Sequence, residues 1–268
     1  MTIPSPNAST SLHGRRVVIT GAGRGIGRAI ALAFAAAGAR VVVNARRASD
    51  IEAVASEIER ETGGEAHPVP GDIASPDDVD RLYREATARL GGIETLVNNA
   101  GRFHWGPFLE TSADDWHGVF AVNVHGTATV THKFLPSMLH GQFGRIINVA
   151  STTVGRFGAP NFSVYAASEH AIIGLTKCLA LETAKAGVTV NALCVGLVDT
   201  EQNEQARAKI ADHQGTNPDA VKQAFLNSIP MGRLVTVDEV AAGAVFLASR
   251  EAQAITGICL DVAAGRGV

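Results

Sequence analysis

Seven short apolar runs alternate along this chain with stretches of helical periodicity, and that alternation admits few folds. The runs fall at residues 16–20, 40–44, 66–69, 95–98, 145–150, 189–193 and 257–262. The helical stretches between them extend from the glycines after Thr20 to Ala37, and over 49–62, 76–90, 114–140, 163–186 and 236–248. A run such as Val41, Val42 and Val43 has no polar alternation, which suits a parallel sheet covered on both faces. Repeated β–α units with right-handed crossovers predict an α/β fold, a doubly wound parallel sheet of about seven strands. No linker, repeat or low-complexity segment interrupts the pattern, so residues 14–268 read as one domain behind a loose polar tail at 1–13. Residues 199–227 are polar and helix-prone and sit between a strand and the last helix. An insertion there is expected to cover the carboxyl ends of the strands as a substrate lid.

The chain has 268 residues, 46% of them hydrophobic and 18% charged, enough apolar content for a sizeable core. Its net charge of -3 argues against nucleic acid as a partner. No apolar run reaches the roughly 18 residues of a membrane span, and the first residues lack a signal-peptide pattern. Cys178, Cys194 and Cys259 show no metal-ligand spacing and read as free thiols of a cytoplasmic protein. No metal site is expected.

The first turn reads Thr20-Gly21-Ala22-Gly23-Arg24-Gly25-Ile26-Gly27. It follows a strand and opens a helix. Glycines there let the backbone approach a pyrophosphate, and the helix N-terminus offers N–H donors and a positive dipole. The spacing departs from G-x-G-x-x-G, but the strand–turn–helix context marks a Rossmann-type dinucleotide site. The second strand ends Asn44-Ala45-Arg46-Arg47, without the acid that would hold the ribose 2′-hydroxyl of NAD. Arg46 and Arg24 are expected to clamp a 2′-phosphate instead, which points to NADP(H).

Further motifs extend the pattern: Gly71-Asp72-Ile73, Asn98-Asn99-Ala100-Gly101, Asn123 in Val-Asn-Val, Ser151 after Ile-Ile-Asn-Val-Ala, and Tyr165 in Tyr-Ala-Ala-Ser-Glu. With them the chain resembles the short-chain dehydrogenase/reductase family over about residues 14–265, and its C-terminal half resembles 3-oxoacyl and polyketide-type ketoreductases. The resemblance implies roles. Asp72 and Ile73 meet the adenine, and Asn99, Ala100 and Gly101 line the cofactor. Gly196 and Val198 flank it after the sixth strand. Tyr165 is the general acid for carbonyl reduction, Ser151 binds the carbonyl oxygen, and Asn123 holds a water in a proton relay. Hydride delivered to a carbonyl creates an alkoxide, which needs such donors. The resemblance also implies a homotetramer or dimer, a small-molecule carbonyl or alcohol substrate, and no membrane partner. Phe103, His104, Trp105, Phe157 and Phe162 are expected to make the substrate pocket apolar.

The main departure is Glu169, where the family pattern has lysine. Four residues after Tyr165 on a helix, its carboxylate stands beside the phenol and opposes phenolate. Smaller departures are the spacing of Ser151, with Thr152 at the usual position so that either hydroxyl fits the role, and Val195-Gly196 and Ala263-Ala264-Gly265 in place of Pro-Gly and Asp-Gly-Gly. Three readings follow: a ketoreductase slowed by Glu169, a non-redox cyclase, dehydratase or isomerase in which Glu169 is the acid or base, or an inactive paralogue.

Overall fold

The β-branched runs pair in parallel, and each contributes alternate residues to two apolar layers. A computed structural model of the protein describes residues 11–155 and 157–267. The strands are β1 (Arg16–Thr20), β2 (Arg40–Ala45), β3 (Ala66–Pro70), β4 (Thr95–Asn98), β5 (Gly144–Ser151), β6 (Val188–Val195) and β7 (Cys259–Val262). They form one parallel seven-stranded sheet in the order β3-β2-β1-β4-β5-β6-β7. The pairing Val17↔Val41, Val18↔Val42 and Ile19↔Val43 sets the register. Val17, Ile19, Val41 and Val43 face one layer, while Val18 and Val42 face the other.

The first layer is closed by α1 (Gly25–Ala36), α2 (Ala48–Thr62) and α10 (Val237–Ala248). The second is closed by α3 (Pro76–Leu90), α5 (Thr127–His140) and α7 (Ser163–Thr183). Local chemistry sets the helix ends. The Ser75 hydroxyl accepts from the Asp78 N–H ahead of Pro76, and Thr236 and Glu239 form a capping box on α10. Gly63 and Gly91 end α2 and α3 in the left-handed conformation.

The helix expected at 114–140 is α4 (Ala113–Phe120) joined to α5 through a π-helical segment, Ala121–Gly126. A short α6 (Thr152–Gly155) follows β5. The segment expected as a lid is a pair of helices, α8 (Glu201–Gln214) and α9 (Pro218–Asn227). Ile210, Ala211 and Val221 give it a small core of its own, against which Trp105 and Phe225 pack.

One expectation is corrected here, and one expected site residue is located. The tail ends before Leu12, which is 1% exposed and donates its N–H to Ala37 O. An apolar residue at that point fills the end of the first layer; the rest of the expected tail, residues 1–10, lies outside the described residues. Val198, expected against the cofactor, is 1% exposed in the first layer and bridges to Val235. Among the described residues no helix is long and apolar enough to cross a membrane.

Candidate active site

The strand order reverses between β1 and β4, and ligands of open α/β sheets bind outside the carboxyl ends of the strands at such a point. A cavity of about 1090 Å³ lies there. Its walls come from the segments after β1, β2, β3 and β4, the ends of β5 and β6, one face of α7, and Thr200 and Glu201. Of the expected cofactor residues, Gly21, Gly23, Arg24, Gly25, Ile26, Gly27, Arg46, Asp72, Ile73, Asn99, Ala100 and Gly101 line it. Gly196 does not: its N–H donates to Val262 O, and a Cβ there would lie 2.8 Å from Ala263 Cα. Its smallness serves the packing of the chain after β7.

The turn after β1 is held from below. Thr20 Oγ1 accepts from the N–H groups of Asn99 and Ala100, at 3.1 and 3.2 Å. Asn99 Nδ2 donates to Thr20 O and Gly21 O, at 3.1 and 3.0 Å. Asn99 therefore fixes the turn through its side chain. Gly21 has φ +64°, and a Cβ on it would lie 2.7 Å from Ala100 Cα. A Cβ on Gly27 would collide with Gly21 O and Asn99 Nδ2. No side chain caps α1, so its first N–H groups are left for an anion. The bare cradle, the uncapped helix and a cavity of this volume fit a dinucleotide.

Beyond β2, Arg47 is paired with Asp50 at 2.8 Å, whereas exposed Arg46 has no ion-pair partner among the described residues. Arg24 is paired: its Nη1 lies 3.2 Å from Glu201 Oε2 on α8. Asp72 accepts from the Ala74 N–H through Oδ1, which shapes the turn after β3.

Tyr165, Glu169 and Ile172 share one face of α7 and line the inner end of the cavity. The Tyr165 ring meets Phe103 edge-on with centroids 5.3 Å apart, and Phe103 meets Phe162 at 5.8 Å. Asn123 is 3% exposed in the π-helical segment. Its Oδ1 accepts from the Arg102 N–H at 2.7 Å, and its Nδ2 donates to Arg102 O and to Ser168 Oγ. Ser168 Oγ in turn donates to Tyr165 O at 2.8 Å. One amide thus ties the loop after β4 to the turn of α7 that carries the tyrosine. Ser151 ends β5, and its N–H donates to the Glu169 carboxylate. Thr152, the alternative hydroxyl, is fully buried and donates to Cys194 O at 2.9 Å, so it is committed inside the fold.

Glu169 is 6% exposed. Burial pushes its carboxyl up to about 8, against the opposing pull of the Ser151 N–H. Tyr165 is raised well above the ordinary phenol value, first by desolvation and then by the charge of Glu169. Burial thus favours the neutral acid over the carboxylate expected beside the phenol. Below about pH 8 burial keeps Glu169 protonated, and desolvation governs Tyr165.

The aromatic residues expected at the substrate divide. Phe103 lines the cavity. Trp105 meets His213 of α8 at 5.1 Å, and Phe157 is 46% exposed. His104 lies between Asp115 and Thr111, where it braces its own loop. Cavity-lining residues that carried no sequence signal include Thr200, Glu201, Gly118 and Asp50. Among the described residues no group of three or more His, Cys, Asp or Glu is placed to hold a metal.

A doubly wound sheet with a glycine cradle at its switch point defines a dinucleotide-binding Rossmann-type protein. The chain belongs to the short chain dehydrogenase family, whose profile matches residues 15–211. It is 36% identical to the 3-oxoacyl-acyl-carrier-protein reductase FabG of Aquifex aeolicus over 256 residues, covering 95% of this chain and 98% of the relative. It is likewise 36% identical to the D-beta-hydroxybutyrate dehydrogenase of Cupriavidus necator over 256 residues, with coverage of 95% and 98%. Among solved structures it is similar to a substituted form of actinorhodin polyketide ketoreductase with NADPH. There the TM-score is 0.91 at 35% identity, covering 96% of this chain and 99% of that one.

Proposed function

We propose that the protein is an NADP(H)-dependent oxidoreductase that interconverts a carbonyl and an alcohol on an apolar small molecule, working as a ketoreductase slowed by Glu169. The carrying observation is that Tyr165, Glu169 and the glycine turn line one cavity. Reductases of oxoacyl and polyketide substrates among the similar proteins support the reading. Gly21 to Gly27, Arg46 and Asp72 are the residues that would hold the dinucleotide, which when bound supplies a hydride.

This chain's own residues manage the proton and the carbonyl. Tyr165 is protonated throughout the neutral range and donates its phenolic proton to the oxygen that becomes the alcohol. Ser151 supports that oxygen from the end of β5. Asn123 holds the Tyr165 turn of α7 in place through Ser168. Glu169 as a neutral acid both donates and accepts a hydrogen bond, so it serves ribose hydroxyls, yet it lacks the positive charge that would lower the phenol. Oxidation of an alcohol needs the phenolate, and the site disfavours it more than it disfavours reduction. Phe103, backed by Phe162, gives the reacting end an apolar wall, and α8 and α9 act as its lid. The reading includes a dimer or homotetramer in the cytoplasm, in which Leu109 and Leu181, 96% and 84% exposed, would be covered. Light scattering that gives 27.9 kDa at micromolar concentration refutes the assembly.

The test is NADPH oxidation, followed by absorbance, with aliphatic and aromatic ketones, alongside chromatography of the products. Ketone-dependent oxidation with matching alcohol supports the reading. Substrate conversion without net NADPH change indicates non-redox chemistry, and dinucleotide binding without turnover indicates an inactive paralogue.

A further inference from the structure

Four acidic residues line the cavity: Asp50, Asp72, Glu169 and Glu201. Asp50 is engaged by Arg47 and Asp72 by the Ala74 N–H, each beside its own segment, and Glu169 of α7 by the Ser151 N–H at the end of β5. Glu201 differs. It is the first residue of α8, and it reaches across the mouth of the cavity to Arg24 of the glycine turn, Nη1 to Oε2, at 3.2 Å. Its other oxygen accepts from Gln205 Nε2 at 3.1 Å, which holds the carboxylate in that direction. Thr200 caps α8 by accepting from the Asn203 N–H, and its methyl group is 3.7 Å from the point where a Cβ on Gly25 would stand. The lid helix therefore starts on the phosphate-binding turn.

An acid at that point opposes a polyanionic ligand in two ways. It occupies the guanidinium that a phosphate needs, and it faces the phosphate with like charge. Both side chains of the pair are more than half exposed, so the contact is weak enough for a competing anion to replace it. A phosphate offers Arg24 a stronger, bidentate partner than a single exposed carboxylate oxygen.

We infer that Glu201 is a specificity-determining latch. It holds Arg24 to α8 in the free protein and yields it to the 2′-phosphate of NADP(H), so that the phosphorylated dinucleotide frees the start of the lid and NAD(H) leaves it fastened. The inference rests on the NADP(H) reading.

The experiment is calorimetric titration of the whole protein with NADP+ and with NAD+, in the wild type, Glu201→Gln, Arg24→Ala and the double variant. Exposed ion pairs are weak, so Glu201→Gln is expected to tighten NADP+ by about 3- to 10-fold and to leave NAD+ within about twofold. That gain should vanish in the Arg24→Ala background. A gain in affinity is not what a merely structural disturbance produces. Deuterium exchange gives the second readout: amides at the start of α8 should exchange faster in free Glu201→Gln than in the free wild type. NADP+ but not NAD+ should produce the same increase in the wild type. Wild type that prefers NADP+ while Glu201→Gln changes neither affinity nor exchange overturns the latch and leaves the cofactor reading standing. Wild type that binds both dinucleotides equally overturns both.

Discussion

Replacing Glu169 by glutamine keeps the shape of the side chain and an acceptor for the Ser151 N–H, but removes the titration. In the unfolded chain this carboxyl loses its proton near 4.5; in the folded protein it keeps it to about 8. Between those limits the folded state holds a proton that the unfolded state has released, so stability falls as pH rises. The loss is about 1.4 kcal/mol for each pH unit crossed, hence about 3 kcal/mol at pH 7 and nearly 5 kcal/mol above pH 8. Below pH 4.5 the two forms should be equally stable. For a chain of this size 1 kcal/mol moves the midpoint by about 2 °C, so Glu169→Gln should melt about 6 °C higher at pH 7 and about 9 °C higher at pH 9. Thermal and urea unfolding across pH 4 to 9 measures the difference. A constant offset between the two curves, or none, would refute the argument, because it would mean that Glu169 ionises in the folded protein as it does in water.

The remaining predictions concern the cavity. Glu169→Lys places an ammonium beside Tyr165, and a unit charge 4–6 Å away at an effective dielectric of about 20 contributes roughly 3–4 kcal/mol. Ketone-dependent NADPH oxidation should rise at least about tenfold; an unchanged rate would mean that the residue does not act on the phenol. Arg46→Ala should weaken NADP(H) by about 10- to 150-fold in calorimetry while leaving NAD(H) alone, and a change under about twofold would refute the phosphate contact. Gly27→Ala drives a methyl group into Gly21 O and Asn99 Nδ2, so it should cost about 1–3 kcal/mol in urea unfolding and abolish dinucleotide binding. Retained affinity there would show that the turn has room to shift.

The sheet was legible because its strands are buried on both faces: Val41, Val42 and Val43 could belong to little else. Every expected strand is present, with no end shifted by more than two residues. The glycine turn was legible for a similar reason, since a strand, a turn and a helix in that order leave the cradle one place to be. What escaped depended on distance in the chain or on environment. Thr200 and Glu201 reach the cavity only because α8 starts beside a turn some 177 residues earlier. The side chain of Val198 packs in the first layer, a placement that its position after the sixth strand did not report. Helical spacing put Glu169 beside Tyr165 but could not report the dielectric there, which decides the balance between its acid and its carboxylate. Leu12 looked like part of a polar tail because one apolar residue has no period.

The π-helical segment at Ala121–Gly126 separates what the fold requires from what the site requires. A π turn closes i to i+5 and so takes in one residue more than an α turn. The extra residue lets the helix present Asn123 to Arg102 and Ser168 while Val130, Phe134 and Met138 of α5 still face the core. Shortening the segment by one residue returns it to an α-helix without rotating the flanking faces, whereas the same deletion within α5 turns everything beyond it by about 100°. The long helix thus contains one stretch where a deletion spares the protein's solubility and removes its amide clamp. A chain carrying it would accumulate as a well-folded protein that had lost the grip on its tyrosine.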